Sequence, residues 1–76
     1  MHISLSDLNV GEQARVVGYT RGSGYAAQLM RLGLIPGTAF EVRRIAPLGD
    51  PVEIRFRGFS LALRPREAGC LLLDRA

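Results

Sequence analysis

The stretch PVEIRFRGFSLALR, residues 51–64, decides the fold, because it has the pattern of two short strands joined by a tight turn. Apolar and polar residues alternate on both sides of Arg57-Gly58, as in strands with one buried face. A two-residue turn there opposes apolar residues throughout, whereas a one-residue slip would oppose apolar to polar residues. Gly58 supplies the positive φ that the turn needs. The predicted inward pairs are Phe56 with Phe59, Ile54 with Leu61 and Val52 with Leu63, and the outward pairs are Arg55 with Ser60 and Glu53 with Ala62.

Three more strand-length runs lie outside this hairpin, at residues 15–19, 38–45 and 69–74. The loop between the second and third strands ends at Pro51, which can occupy only the first position of a strand. Matching the faces across this loop places Glu41 near Arg57 and Arg43 near Arg55. The second pairing is repulsive and favours an anion or a partner's carboxylate.

One helix is predicted between the first and second strands, over residues 24–32 and capped by Ser23. Leu29 and Met30 lie on its apolar stripe, which should pack onto the strands. Gly33 follows as the left-handed residue that ends many helices, and the next residues, Ile-Pro-Gly-Thr at 35–38, form a type II turn. Near the start, residues 5–8 form one helical turn whose leucines close one end. The predicted architecture is mainly β: a small closed barrel of about five strands without exposed edges.

Composition limits the class of protein. With 76 residues, the chain is predicted to be a single small domain, and 47% hydrophobic with 22% charged residues is a globular composition. Ten arginines outnumber seven interleaved acids, for a net charge of +3, which is a weak nucleic-acid signal. The one cysteine excludes an internal disulfide. No leader follows Met1 and no apolar run approaches the roughly 18 to 20 residues of a membrane span. We therefore expect a cytoplasmic protein without direct membrane insertion.

Blocks distributed over nearly the whole chain resemble the FeoA family of ferrous iron transport accessory proteins. They are LSDL at 5–8 with Gly11-Glu12, LGLIPGT at 32–38, PLGDP at 47–51, and RGFSLALR at 57–64 with Glu67-Ala68. The resemblance implies an SH3-like barrel that works in the bacterial cytoplasm with FeoB, the membrane ferrous iron transporter that carries a GTPase domain. It also implies a binding or regulatory module. The alternative is a stand-alone relative of the SH3-like domain of DtxR-type iron-dependent repressors, but the chain has no helix-turn-helix segment.

Candidate catalytic and metal-binding residues are few. Nucleophilic catalysis needs a base beside Ser or Cys, and the only histidine, His2, lies at a terminus that should fray. Gly22-Ser23-Gly24 is too short for a phosphate-binding loop. His2 and Cys70 are the only soft metal ligands, and Cys70 has the character of a small core residue. We predict no enzyme, no cofactor and no intrinsic metal site, although Asp7, Glu12 and Glu67 could complete one if the fold gathered them.

Binding to FeoB is the function that remains, and two features could carry it. The helix and the loop after it could be presented to the partner, and a row of outward arginines could meet an acidic face of the GTPase domain. A solvated face with weak ion pairs is the alternative for the arginines. The predicted partner-binding residues are Tyr25, Arg31, Leu34, Pro36, Gly37, Arg43, Arg55 and Arg57.

Two other modes of association stay open in the sequence. Small barrels bind RNA through basic grooves with aromatic platforms, which Tyr19, Tyr25 and Phe59 could provide. Against RNA binding, the strand register places Phe59 inward and the acids interrupt the basic stripe. Short edge strands also permit weak self-association.

Overall fold

Five antiparallel strands and one α-helix make up the fold in the computed structural model, which describes residues 2–20 and 24–76. The sheet order is β4-β3-β2-β1-β5, which confirms the predicted five strands with a helix between the first and second. Ser23, the predicted helix cap, lies outside the described residues. The strands are β1 (Gln13–Tyr19), β2 (Ala39–Ile45), β3 (Val52–Phe56), β4 (Phe59–Leu63) and β5 (Leu71–Arg75); the helix is α1 (Gly24–Arg31); and 3₁₀ turns lie at Leu5–Asp7 and Ala68–Cys70.

The β3–β4 hairpin has the predicted register in all five pairs, from Val52 with Leu63 to Phe56 with Phe59. Both turn residues have positive φ, 52° at Arg57 and 81° at Gly58, which is the geometry of a two-residue type I′ turn. The strand alternation therefore determined the pairing. Val52, Ile54 and Phe56 are buried, as their face of β3 predicts.

Phe59 departs from the prediction, because 66% of its surface is exposed although it pairs with buried Phe56. It begins an edge strand at the tip of the hairpin, and no strand of the described residues lies beyond it. The chain just after α1 covers Phe56 instead, since a Cβ built on Gly33 would lie 3.2 Å from Phe56 Cε2. The inward face of the hairpin thus extends beyond the core at the turn, and Phe59, which lies there, is exposed.

The pairing of β2 with β3 also differs from the prediction. Glu41 pairs with Arg55, and a register shift follows between Val42 and Arg44. The extra residue of this bulge is Arg43, and the predicted Arg43–Arg55 repulsion is absent because Glu41 lies opposite Arg55. Arg43 Nη1 instead lies 3.7 Å from Glu41 Oε2 on the same strand. Sequence matching of faces could not detect the bulge, because it assumes unbroken alternation.

The predicted closure of the barrel is wrong in one respect, since β4 and β5 are the two edges of the sheet and no strand pairing joins them in the described residues. The 3₁₀ turn at Ala68–Cys70 separates these strands along the chain and packs against α1. The core fills the space within the curved sheet. Its fully buried side chains include Val16, Leu34, Val42, Ile54 and Leu73.

The end of α1 is fixed by backbone hydrogen bonds of the Schellman type. Gly33 N–H donates to the Met30 carbonyl at 3.0 Å and Leu34 N–H to the Leu29 carbonyl at 3.1 Å, with Gly33 at φ 109°. The type II turn follows as predicted, with Gly37 at φ 95° and Thr38 N–H donating to the Ile35 carbonyl at 3.0 Å. Leu29 is buried, whereas Met30, predicted to share the packing, is exposed.

Tyr19 holds this segment to β1 through its hydroxyl, which donates a hydrogen bond to the Leu34 carbonyl. Burial, and secondarily nearby Cys70, raises the pKa of Tyr19 to about 12. The hydroxyl therefore remains a donor throughout the physiological pH range, so that the helix end stays attached to the sheet.

The N-terminal segment covers the outer edge of β5. Ile3 N–H donates to the Leu73 carbonyl at 2.8 Å, and His2 Nδ1 lies 3.1 Å from Asp74 Oδ1. The chain is thus held to the sheet by a backbone hydrogen bond at Ile3, and His2 itself is exposed. The predicted helical turn is confirmed at Leu5–Asp7, and Leu5 and Leu8 are buried at the end of the barrel.

Two carboxylates of this segment should make the fold sensitive to acid. The Ser4 backbone N–H lowers the pKa of Asp7, and the Asn9 backbone N–H, followed by Arg75, lowers the pKa of Glu12. Because the folded-state pKa values lie below those of the unfolded chain, the stabilisation is complete above about pH 5 and is lost as the pH falls. We expect the free energy of unfolding, from urea titrations, to fall between about pH 5 and pH 3.

The double variant Asp7→Asn/Glu12→Gln provides the control for this acid sensitivity. Neither replacement titrates, so the decrease below pH 5 should be shallower than in the unmodified protein. Equal slopes in the two proteins would contradict the assignment to these carboxylates.

Candidate functional site

A groove with exposed apolar side chains runs between α1 and the β3–β4 hairpin. Two depressions form it, with volumes of about 190 and 330 Å³, and they share Leu32 and Leu61. Leu32 is 48% exposed and Phe59 66% exposed, so large apolar side chains face solvent here. We call it the helix–hairpin groove; it is lined chiefly by Tyr25, Gln28, Arg31, Leu32, Phe59, Leu61 and Glu67.

Local sequence explains why these side chains meet. Tyr25, Gln28 and Leu32 follow one another at spacings of three and four, so they share one helix face. Leu61 lies two residues after Phe59 on β4, on the same face of the strand. The Schellman turn at Gly33 ends the helix beside Phe56, which places this helix face opposite β4.

A third, more open depression of about 240 Å³ lies on the sheet and contains two of the predicted arginines. Arg55 and Arg57 border it together with Glu41. Phe56 contributes to this depression and to the helix–hairpin groove, so the two adjoin at the hairpin. The arginines are exposed, and an exposed ion pair there would contribute less than about 1 kcal/mol to stability.

The structure therefore divides the predicted partner-binding residues into groups. Tyr25 and Arg31 line the helix–hairpin groove, and Arg55 and Arg57 line the adjoining depression. Arg43, in the bulge beside Glu41, lines neither.

The turn after the helix contains one correction to the predicted set. Leu34 has 0% of its surface exposed, so it cannot touch a partner in this conformation. Its position two residues after Leu32, past the Schellman turn, directs the side chain into the core. Pro36 and Gly37 are exposed, but they line none of the three depressions, and Gly37 N–H donates to the Val16 carbonyl on β1 at 2.7 Å.

Sequence reasoning missed Phe59 and Leu32 as surface residues. Phe59 had the alternation of a buried residue, and only its position at the hairpin tip on an edge strand could have indicated exposure. Leu32 is the last residue of the predicted helix and lies outside its predicted apolar stripe, so the pattern gave it no role. Because Phe59 is exposed, it no longer argues against an aromatic platform for RNA, and only the interleaved acids still do.

Metal-ligating side chains are dispersed in the structure. Among residues 2–20 and 24–76, no group of three or more His, Cys, Asp and Glu residues comes together. Cys70 is buried, with Sγ directed at the Glu67 carbonyl at 3.7 Å, which confirms its prediction as a core residue. His2 lies beside Asp74, with no third ligand nearby in that part of the structure.

Comparison with known proteins decides the family. A family model described as the FeoA domain matches residues 3–75, from the N-terminal segment to the end of β5. The chain belongs to the FeoA family. FeoA proteins are small accessory proteins of ferrous iron transport, as the sequence blocks implied.

Two solved structures show how similar the fold is. The FeoA-like protein of Clostridium acetobutylicum is 32% identical with a TM-score of 0.88, over 97% of this chain and 86% of that one. The FeoA of Stenotrophomonas maltophilia, a procaryotic SH3 domain protein solved in complex with zinc, is 25% identical with a TM-score of 0.79, over 95% of this chain and 89% of that one. The predicted SH3-like architecture is confirmed.

A third relative joins FeoA to its transporter. The Fe(2+) transport protein A/Fe(2+) transporter FeoB fusion protein of Porphyromonas gingivalis is 31% identical over 64 residues, which are 84% of this chain. The matched segment spans only 8% of that fusion protein. No helix in the described residues of the present chain is long and apolar enough to cross a membrane.

Proposed function

We propose that this FeoA is a cytoplasmic regulatory module that binds the cytoplasmic GTPase part of an FeoB transporter through the helix–hairpin groove and the adjoining arginines. The observation that carries the proposal is the groove itself, where exposed Leu32 and Phe59 flank Arg31. Aromatic side chains and arginine are enriched in protein-interaction surfaces, and exposed Phe59 and Arg31 supply both here.

The P. gingivalis fusion supports the choice of partner. In that protein an FeoA segment and an FeoB transporter belong to one polypeptide, so the two act at a high effective concentration. A separate FeoA needs an interface to reach its transporter. The arginines at the groove suit an acidic face on the partner, because complementary charge speeds and orients association.

Binding can be measured with the full chain and a full-length FeoB in lipid nanodiscs, with empty nanodiscs as the control for membrane attachment. We expect Arg31→Glu/Arg43→Glu to lower the affinity by about tenfold, chiefly because the attractive contact of Arg31 in the groove becomes repulsive. An excess of the GTPase domain should displace FeoA from the nanodiscs. Unchanged affinity of the double variant would contradict the assigned surface.

Single reversals separate the two arginines. Arg31→Glu should account for most of the loss, because Arg31 lines the groove and Arg43 does not. Arg15→Glu, at an exposed position of β1, changes the net charge by the same amount as either single reversal and serves as the control. An equal loss in all three would indicate a general charge effect.

A steep salt dependence of binding to single-stranded RNA would favour the nucleic-acid alternative instead, because phosphate contacts release counterions.

A further inference from the structure

We infer that the unpaired edge of β4 takes up an extended segment of the partner as an additional strand, with the helix–hairpin groove receiving its side chains. The segment has alternating apolar residues and acidic residues at its ends. Its assignment to FeoB rests on the proposed function, whereas the binding mode follows from the edge itself.

Strand geometry identifies the backbone groups that face the partner. The two-residue turn makes Phe56 and Phe59 a hydrogen-bonded pair, so the bonded pairs recur at Leu61 and Leu63. The N–H and C=O groups of the intervening Ser60 and Ala62 therefore point away from β3. No backbone bond from another described residue reaches them, and both residues are exposed.

The two edges of the sheet are treated differently. The N-terminal segment covers β5, where Ile3 bridges to Leu73, and the strand ends in the charged residues Asp74 and Arg75. Proteins block edge pairing with charged residues, proline or bulges. β4, with the sequence FSLAL, has none of these three features. An edge without such protection, beside an open apolar groove, is typical of strand-addition sites.

Charge favours a heterologous acidic segment over a second copy of this chain. Arg31 lines the groove, Arg57 lies at one end of β4, and Arg64 and Arg66 follow its other end. The acids nearby are Glu67 in the groove, Glu53 opposite Ala62 on β3, and Asp50, whose Oδ2 lies 3.8 Å from Arg64 Nη1. Pairing two β4 edges would bring these arginines toward one another, whereas acidic ends on a partner strand would neutralise them.

The test uses the full chain and the acetylated, amidated peptide EEVTVTVEE, with binding measured by isothermal titration. We expect the unmodified peptide to bind. N-methylation of one set of residues, either the valines or the threonines, should abolish binding, and N-methylation of the other set should not. Only one set directs its N–H groups at β4, so only one set of methyl groups blocks the ladder.

The matched variants act on the edge of the protein. Ala62→Pro removes an N–H that faces the partner, at an edge position where proline is tolerated, and should weaken binding about tenfold. Ala62→Thr keeps the N–H and should bind more tightly than Ala62→Pro. Circular dichroism of Ala62→Pro verifies its fold, and the methylated peptides test the edge without any variant.

Four outcomes would overturn the inference. In the first, the peptide does not bind. In the second, it binds but neither its methylation nor Ala62→Pro changes the affinity. In the third, the same peptide with lysine in place of glutamate binds with equal affinity. In the fourth, sedimentation shows the chain dimerising through β4, relieved by Ala62→Pro. Competition with FeoB nanodiscs then separates the two proposals: displacement supports both, and peptide binding without displacement sustains the edge site but overturns its assignment to FeoB.

Discussion

Leu34→Ala is expected to lower the free energy of unfolding by about 3 kcal/mol, the largest effect of any single substitution considered for this protein. Leu34 is fully buried beneath the end of α1, where its N–H and C=O are also bonded, to Leu29 and Tyr19. Truncation leaves a cavity that fixed backbone cannot close. Chains of this length have a total stability of about 4 to 11 kcal/mol, so much of it would be lost.

Urea unfolding of Leu34→Ala beside two controls tests this. Leu34→Met keeps the side-chain volume and should lose less than about 1.5 kcal/mol. Leu32→Ala makes the same truncation at a half-exposed position, and should lose less than about 1 kcal/mol of stability while weakening FeoB binding. If Leu34→Ala kept its stability and lost only FeoB binding, Leu34 would be a contact residue as the sequence first predicted, and its burial would be wrong.

Gly33→Ala is expected to cost about 2 to 3 kcal/mol of unfolding free energy, because two penalties combine. Gly33 adopts φ 109°, which L side chains rarely adopt. Its added Cβ would also lie 3.2 Å from Phe56 Cε2, and Phe56 is held in the core by both neighbouring elements. Movement of Phe56 would reach its cross-strand partner Phe59, so the affinity of the helix–hairpin groove should fall as well.

Gly37→Ala separates the two penalties. Gly37 has a similar φ of 95°, but a Cβ there would meet no atom within 4 Å. Its cost should be about 1 to 2 kcal/mol of strain, without an effect on the groove. Thermal unfolding and FeoB titration of both variants measure the difference. Equal stability and equal binding in the two variants would show that the contact with Phe56 is unimportant.

The sequence alone determined the β3–β4 hairpin, the C-terminal end of the helix and the turn at residues 35–38. Strict alternation on both sides of Arg57-Gly58 left a single register that buries apolar residues, and the structure has it. Gly33 and Gly37 marked positions where only a residue without a Cβ fits easily, and both have positive φ. These are local requirements of the backbone, and local sequence expresses them directly.

Only the tertiary structure decided which apolar residues remain at the surface. The sequence predicted a buried Phe59 and a partner-contacting Leu34. Instead, the edge position of β4 exposes Phe59, and the Schellman turn buries Leu34. The bulge at Arg43 and the absence of pairing between β4 and β5 likewise depend on elements distant in sequence. Periodicity specifies the face of a strand or helix on which a residue lies, but its exposure depends on what packs against that face. Here the candidate site exists because no described residue pairs with the outer edge of β4.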